Sequence, residues 1–219
     1  MDFREAEREY EDDTIARQTI PRTFEEAAAR NADSAAQSYK GGVYDRTLTP
    51  DVVEPAPPGG YETLTYGELR DIVRNLAAGF RELGVGPGDR VGVFSHTRME
   101  WAQADFGVLA AGGAVTTVYA SSSPRQVTHL LGDSDAVGVV VENEEMLDRV
   151  RQVEDDLDLE FVVTMDQVAD DDAISLADLY ERGREAFDRD TYEGWIDDRD
   201  YDDLASLIYT SGTTGKPKV

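Results

Sequence analysis

The chain contains no cysteine, which excludes disulfides, thiolate metal centres and a cysteine nucleophile together. Lysine is almost missing too: it occurs only at Lys40, Lys216 and Lys218, so 18 of the 21 basic residues are Arg. No apolar run approaches the ~18–20 residues of a membrane-spanning helix, so no transmembrane segment is expected. The N-terminus, MDFREAEREYEDD, has neither the basic start nor the apolar stretch of a signal peptide. The expected location is therefore the cytoplasm. Basic charge is scarce overall, with 46 Asp and Glu and a formal net charge of −25. A nucleic-acid interface needs a basic face to neutralise phosphates, and a protein held by anionic lipid needs Lys/Arg clusters. Neither partner is expected.

What is present suffices for a folded enzyme-sized unit. Hydrophobic residues make up 40% of the 219 positions, too many for a wholly disordered chain, and the length suits one domain or a large piece of one. Residues 1–22 are read as a charged N-terminal arm. Thr23 with Glu26 has the spacing of a capping box ahead of a helix over Phe24–Arg30. Residues 41–60 hold Pro50, Pro55, Pro57, Pro58 and Gly59-Gly60, the composition of a surface loop. Thr65 and Glu68 form a second box, followed by Leu69, Ile72, Val73, Leu76, Ala77, Phe80 and Leu83 at helical spacing. Gly84 and Gly86-Pro87-Gly88 end that helix.

Beyond residue 88, short apolar runs alternate with helix signals. The runs are Arg90–Phe94, Ala114–Val118, Val137–Val141, Glu160–Thr164 and Ala205–Thr210. Between them, Thr97 and Glu100 are expected to cap a helix reaching Ala111. Ser123, Pro124 and Gln126 supply a cap, a first-turn proline and a box partner for the next. Further helices are expected over residues 143–153 and 175–187. Strands apolar on both faces and separated by helices predict an α/β fold, with a mainly parallel sheet and helices on both faces.

The last eleven residues carry the chemistry: Tyr209-Thr210-Ser211-Gly212-Thr213-Thr214-Gly215-Lys216-Pro217-Lys218-Val219. They follow an apolar strand, so they fall at its carboxyl end, where open parallel sheets bind ligands. Gly212 and Gly215 let backbone N–H groups approach a ligand. Thr210, Ser211, Thr213 and Thr214 add hydroxyl donors, and Lys216 adds a mobile positive charge. Such a set suits polyphosphate oxygens. Residues 197–203 hold five Asp and one Arg, yet nothing after Asp203 is acidic and two of the three lysines follow it. The stretch is not the P-loop of kinases and small GTPases, which has four residues between its glycines and Ser/Thr after its Lys; here two residues separate Gly212 from Gly215, and Pro217 follows Lys216.

Tyr209 through Lys218 closely resembles the ATP loop of the AMP-forming adenylating superfamily, which includes acyl-CoA synthetases, peptide-synthetase adenylation domains and firefly luciferase. The resemblance extends over most of residues 24–219. Leu64–Leu69 with Gly84–Val93 looks like that family's opening helix and strand. Glu100-Trp101 and Tyr119–Ala136 are most similar to the long-chain fatty-acyl-CoA branch. The resemblance implies two steps: a carboxylic acid attacks the α-phosphate of Mg-ATP, and the thiol of coenzyme A then captures the acyl-adenylate. It implies ATP, Mg2+ and coenzyme A as substrates or cofactors, a long-chain fatty acid as acid partner, and β- and γ-phosphate binding by Thr210, Ser211, Gly212, Thr213, Thr214, Gly215 and Lys216. Residues 23–219 are then an incomplete piece of the large N-terminal domain. The family's adenine and ribose motifs, magnesium-site glutamate, hinge and catalytic lysine have no counterpart before Val219, so this chain alone is expected to form no acyl-CoA. Another acid (short-chain, aryl or amino) and a non-catalytic remnant are the alternatives.

Other candidates carry blander expectations. His96 follows the strand ending near Ser95 with no partner visible in sequence, and His129 reads as a surface or interface residue beside Leu130. Trp101 is expected to pack in the core. Asp105, in the same helix, finds no account. Asp170–Asp172 and Asp197–Asp203 read as solvated connections rather than metal sites, and no metal ligands are assigned.

The acid excess also sets a condition on stability. Self-repulsion at −25 loosens a compact fold in dilute buffer, whereas at ~1 M salt the screening length shrinks to roughly 3 Å. The composition thus suggests a protein from a high-salt cytoplasm. The melting temperature is expected to fall when molar KCl is exchanged for dilute buffer, as thermal melts across a salt series will show; an unchanged or higher value in dilute buffer refutes it.

Overall fold

The computed structural model describes residues 18–210. The expected arm over 1–22 therefore lies mostly outside the described residues. Helix α1 spans Ile20–Arg30. Strands β1, Ala35–Lys40, and β2, Tyr61–Thr65, pair antiparallel around the proline-rich loop, and α2 runs from Tyr66 to Glu82. Then β3 (Arg90–Ser95), α3 (Met99–Ala110), β4 (Ala114–Tyr119), α4 (Pro124–Asp133), β5 (Ala136–Val141), α5 (Glu144–Arg151) and β6 (Phe161–Thr164) alternate. The remainder is β7 (Ile174–Ser175), α6 (Leu176–Ala186), α7 (Arg189–Asp197) and β8 (Ser206–Leu207).

Six strands form one sheet in the order β7-β6-β5-β3-β4-β8, and every neighbouring pair is parallel. Alternate side chains enter two separate cores. Val91 and Val93 of β3, Val140 of β5 and Val163 of β6 meet α2, α3 and α6 on one face. Phe94, Val139, Val141 and Val162 meet α4 and α5 on the other. The α/β fold with helices on both faces is as the apolar runs predict, because a strand buried on both sides needs no polar alternation.

Two expected capping boxes form. Glu68 Oε2 accepts from Thr65 N at 2.7 Å, and Thr65 Oγ1 accepts from Glu68 N at 3.2 Å. Gln126 Oε1 accepts from Ser123 N at 2.9 Å. Gly84 stops α2 in the left-handed region at φ +91°. Packing of α6 on α2 depends on missing side chains: a Cβ on Gly183 would lie 1.7 Å from the Asn75 carbonyl oxygen, and one on Gly79 2.3 Å from that of Leu179.

The other two boxes do not form. Helix α1 begins four residues earlier than expected, with Thr19 extended at the N-cap and Pro21 in the first turn. Proline's fixed φ is already helical there, so Thr23 lies inside the helix and its N–H donates to the Thr19 carbonyl at 2.9 Å. At α3 the N-cap is Arg98, not Thr97, and no side chain caps it. The Glu100 carboxylate, fully buried, is used elsewhere: Oε1 lies 2.7 Å from Arg46 Nε and Oε2 accepts from Arg98 Nε at 2.7 Å. Arg98 Nη2 also donates to Asp166 Oδ1 at 2.8 Å, and its guanidinium sits 3.9 Å over the Tyr44 ring. Burial lowers the Arg98 pKa, but hydrogen bonds to Glu100 and Asp166 outweigh it and raise the value above that of an ordinary arginine. This cluster joins the 41–60 loop, the β3–α3 connection and the residue after Met165 at the end of β6. The Ala205–Thr210 run yields only two strand residues, and the β1–β2 pair, β7 and α7 come without a signal in the sequence.

Removing one member of a buried ion cluster leaves the others uncompensated, at a cost of about 3–5 kcal/mol. Glu100→Gln is expected to destabilise the chain by that amount in urea melts, with the slope unchanged.

Candidate functional site

Because the sheet is wholly parallel, the carboxyl ends of its strands share one edge. There, His96 follows β3, Tyr119 ends β4, Glu142 follows β5, and Tyr209-Thr210 follow β8. The β8 segment is fixed against β4: Ser206 and Leu207 pair with Val115 and Thr116, and Val115 N–H donates to the Ala205 carbonyl at 2.9 Å. Tyr209 anchors the chain just beyond β8. Its ring is buried, lies edge-on to His129 with centroids 6.1 Å apart, and its hydroxyl donates to Asp133 Oδ2 at 2.9 Å. Burial, reinforced by that hydrogen bond, pushes its pKa up to about 12. Thr210 stands exposed next to this anchor. Ser211, Gly212, Thr213, Thr214, Gly215 and Lys216 lie outside the described residues, so of the seven expected phosphate-binding positions only Thr210 is placed.

His96 does have a partner, contrary to the sequence reading. Its Nδ1 is 3.0 Å from Glu142 Oε2, and the same oxygen accepts from His96 N–H at 2.7 Å and Ser95 Oγ at 3.1 Å. Glu142 is buried while the His96 side chain is 63% exposed. The missed signal is that each residue directly follows an apolar run; only the strand order, which puts β5 beside β3, shows that they meet. On the next connection, Arg149 of α5 donates to the Ala120 and Ser122 carbonyls at 2.9 and 3.1 Å, which pins the turn after β4.

Trp101 is half-buried: it packs against the core and also lines a cavity at this edge. Asp105 has no hydrogen-bond or ion partner among the described residues, and burial pushes its pKa up to about 6. The acidic turns have partners of their own. Asp170 holds Arg151 at 3.0 and 3.1 Å and accepts from Asp172 N–H at 2.9 Å; Asp203 accepts from Asp200 N–H at 2.9 Å and lies 3.4 Å from Arg199. Among the described residues no group of three His, Asp or Glu could hold a metal ion, and no helix is long and apolar enough to cross a membrane.

The wholly parallel sheet covered by helices on both faces defines an α/β domain, and comparison with known proteins places it in a family. The AMP-binding enzyme family model matches residues 24–219, and the chain belongs to that family. Among its relatives, long-chain-fatty-acid–CoA ligase FadD15 of Mycobacterium bovis is 36% identical over 160 residues, covering 73% of this chain and 26% of the relative. Long-chain-fatty-acid–CoA ligase ACSBG1 of Rattus norvegicus is 30% identical, covering 72% and 22%. The chain thus spans about a quarter of the length of these relatives. Among solved structures, a long-chain-fatty-acid-CoA ligase, FadD1, from Archaeoglobus fulgidus superposes with a TM-score of 0.70 at 20% identity, covering 92% of this chain and 36% of that one. The A-PCP didomain of a carboxylic acid reductase from Segniliparus rugosus, in complex with AMP, gives 0.71 at 16%, covering 89% and 30%. The fold is that of an adenylating enzyme domain.

A carboxyl whose pKa is raised on folding destabilises the fold once it ionises, so stability falls as pH rises from about 4 to about 6. Asp105→Asn is expected to add about 3 kcal/mol at pH 8, since each pKa unit is worth ~1.4 kcal/mol. That gain should vanish below about pH 4. Urea melts at the two pH values check it.

Proposed function

We propose that these residues form the phosphate-loop part of an AMP-forming long-chain fatty-acid–CoA ligase, with residues 23–219 belonging to its N-terminal adenylating domain and residues 1–22 forming a charged arm. The observation that carries this reading is the run Thr210–Lys216, continuing from an anchored strand at the ligand-binding edge of a parallel sheet. The substrate class rests on the activity for which the relatives at 36% and 30% identity are named.

In the first step a carboxylate oxygen attacks the α-phosphorus of ATP and pyrophosphate leaves. In the second, the coenzyme A sulfur bonds to the acyl carbon and AMP leaves. The part these residues play is electrostatic. Backbone N–H groups near Gly212 and Gly215, the hydroxyls of Thr210, Ser211, Thr213 and Thr214, and the Lys216 ammonium hold the β- and γ-phosphates and stabilise the charge gathering on the departing pyrophosphate. Tyr209, tied to Asp133, fixes where the loop begins. Magnesium arrives as the nucleotide's counter-ion, part of the substrate. The acyl-adenylate and thioester steps draw on groups other than these.

Replacing Thr213, Thr214 and Lys216 together by alanine in the ligase carrying these residues removes two hydroxyl contacts and one charged one. At ~1.5–3 kcal/mol for a charged hydrogen bond and ~1 for a neutral one, ATP affinity measured by calorimetry should fall at least ~100-fold. Unchanged affinity would sink the reading. Pyrophosphate release with palmitate against benzoate, acetate and amino acids separates the long-chain acid from the other substrates.

A further inference from the structure

A cavity of about 410 Å³ opens at the carboxyl ends of β3 and β4, where Ser95 lies in register with Tyr119. Its walls include Trp101 and Tyr119, its polar positions Thr97 and Thr117, and its rim His96. Among the described residues that line it there is no Asp, Glu, Lys or Arg, in a chain where charged residues are 31% of all positions. Among these lining residues a charged ligand finds no ion-pair partner, whereas a flat ring finds two aromatic side chains. Ligand pockets are typically largely apolar, with a few placed polar groups that fix orientation.

His96 is the placed group. Glu142 Oε2, buried and also holding the His96 backbone N–H, faces Nδ1 at 3.0 Å. In neutral imidazole this fixes the proton on Nδ1 and leaves the Nε2 lone pair directed away from the carboxylate. The same carboxylate support orients histidines that bind ligands elsewhere. A side chain held so firmly by its backbone and Nδ1, yet mostly exposed, presents a pre-oriented acceptor.

We infer that the β3–β4 cavity is a binding site for an uncharged planar ring bearing an N–H donor, which packs on Trp101 and donates to His96 Nε2. The inference does not use the phosphate loop, and the probes that test it carry no phosphate. Indole and 1-methylindole have the same aromatic body, but only indole has the donor. Titrated into the isotope-labelled chain in molar KCl, indole should shift the His96 Nε2 and Trp101 Nε1–H signals saturably and leave that of Trp195 in place. The unaltered protein should bind 1-methylindole at least tenfold more weakly, and His96→Ala should weaken indole by a similar factor. Equal affinity for the two probes, shifts that do not saturate, or a His96→Ala chain that binds indole as before would overturn the site. The 1-methylindole comparison decides the matter even if the alanine variant fails to fold.

Discussion

Glu100 sits where the fold can least tolerate an unbalanced charge: it is fully buried and lies between the guanidiniums of Arg46 and Arg98. Asp166 takes the outer face of Arg98, and the Tyr44 ring covers it. Desolvating these groups is expensive, and only mutual pairing with good geometry offsets it. What the pairing secures is position. Arg46 belongs to the loop between β1 and β2, Arg98 to the connection after β3, and Asp166 to the end of β6. One cluster thus fastens three otherwise independent segments to the carboxyl edge of the sheet.

His96, Glu142, Tyr209 and Thr210 come together at that edge for a topological reason. In an all-parallel sheet each strand must be followed by a crossover, so all strand ends that lead into connections lie together. His96 meets Glu142 because β5 neighbours β3, and the stretch after Tyr209 emerges two strands away because β8 neighbours β4. Strands in such a sheet are ~4.8 Å apart, so these groups fall within roughly 15 Å of lateral spacing. Anchors hold the intervening turns: Arg149 on the Ala120 and Ser122 carbonyls, and Tyr209 on Asp133.

The parts of this arrangement legible in the sequence are those whose cause is local. Apolar runs buried on both faces announce four of the six sheet strands to within a residue or two, and the Thr65–Glu68 and Ser123–Gln126 boxes close because nothing competes for Glu68 or Gln126. The Thr97–Glu100 spacing looks the same, yet Arg46, 54 residues away, offers the carboxylate a stronger partner. Thr23 fails for a nearer reason, since Pro21 starts the helix first. The β1–β2 pairing and the His96–Glu142 contact are invisible because each depends on strand order, which no single window contains. The candidate phosphate stretch rests on composition alone, two glycines, four hydroxyls and a lysine within seven residues, and only its first residue, Thr210, lies among the described ones.

The unequal use of Arg and Lys follows the same division between structure and site. Arginine's planar fork suits fixed, two-point pairing, and the fold uses it so. Arg74 holds Glu25 at 3.0 and 2.6 Å, joining α2 to α1, and Arg151 holds Asp170 at 3.0 and 3.1 Å. Lysine's ammonium is a mobile point charge whose hydrated head is poorly suited to such forks. In a chain with 46 acidic residues, a lysine near carboxylates would be drawn to them. Two of the three lysines instead follow Asp203, in the stretch that contains no acid. The cations that hold the scaffold are arginines in fixed two-point pairs, and most of the lysines fall in the acid-free stretch of sequence after Asp203. In so acidic a protein, that segregation in the sequence is what the proposed phosphate loop would require.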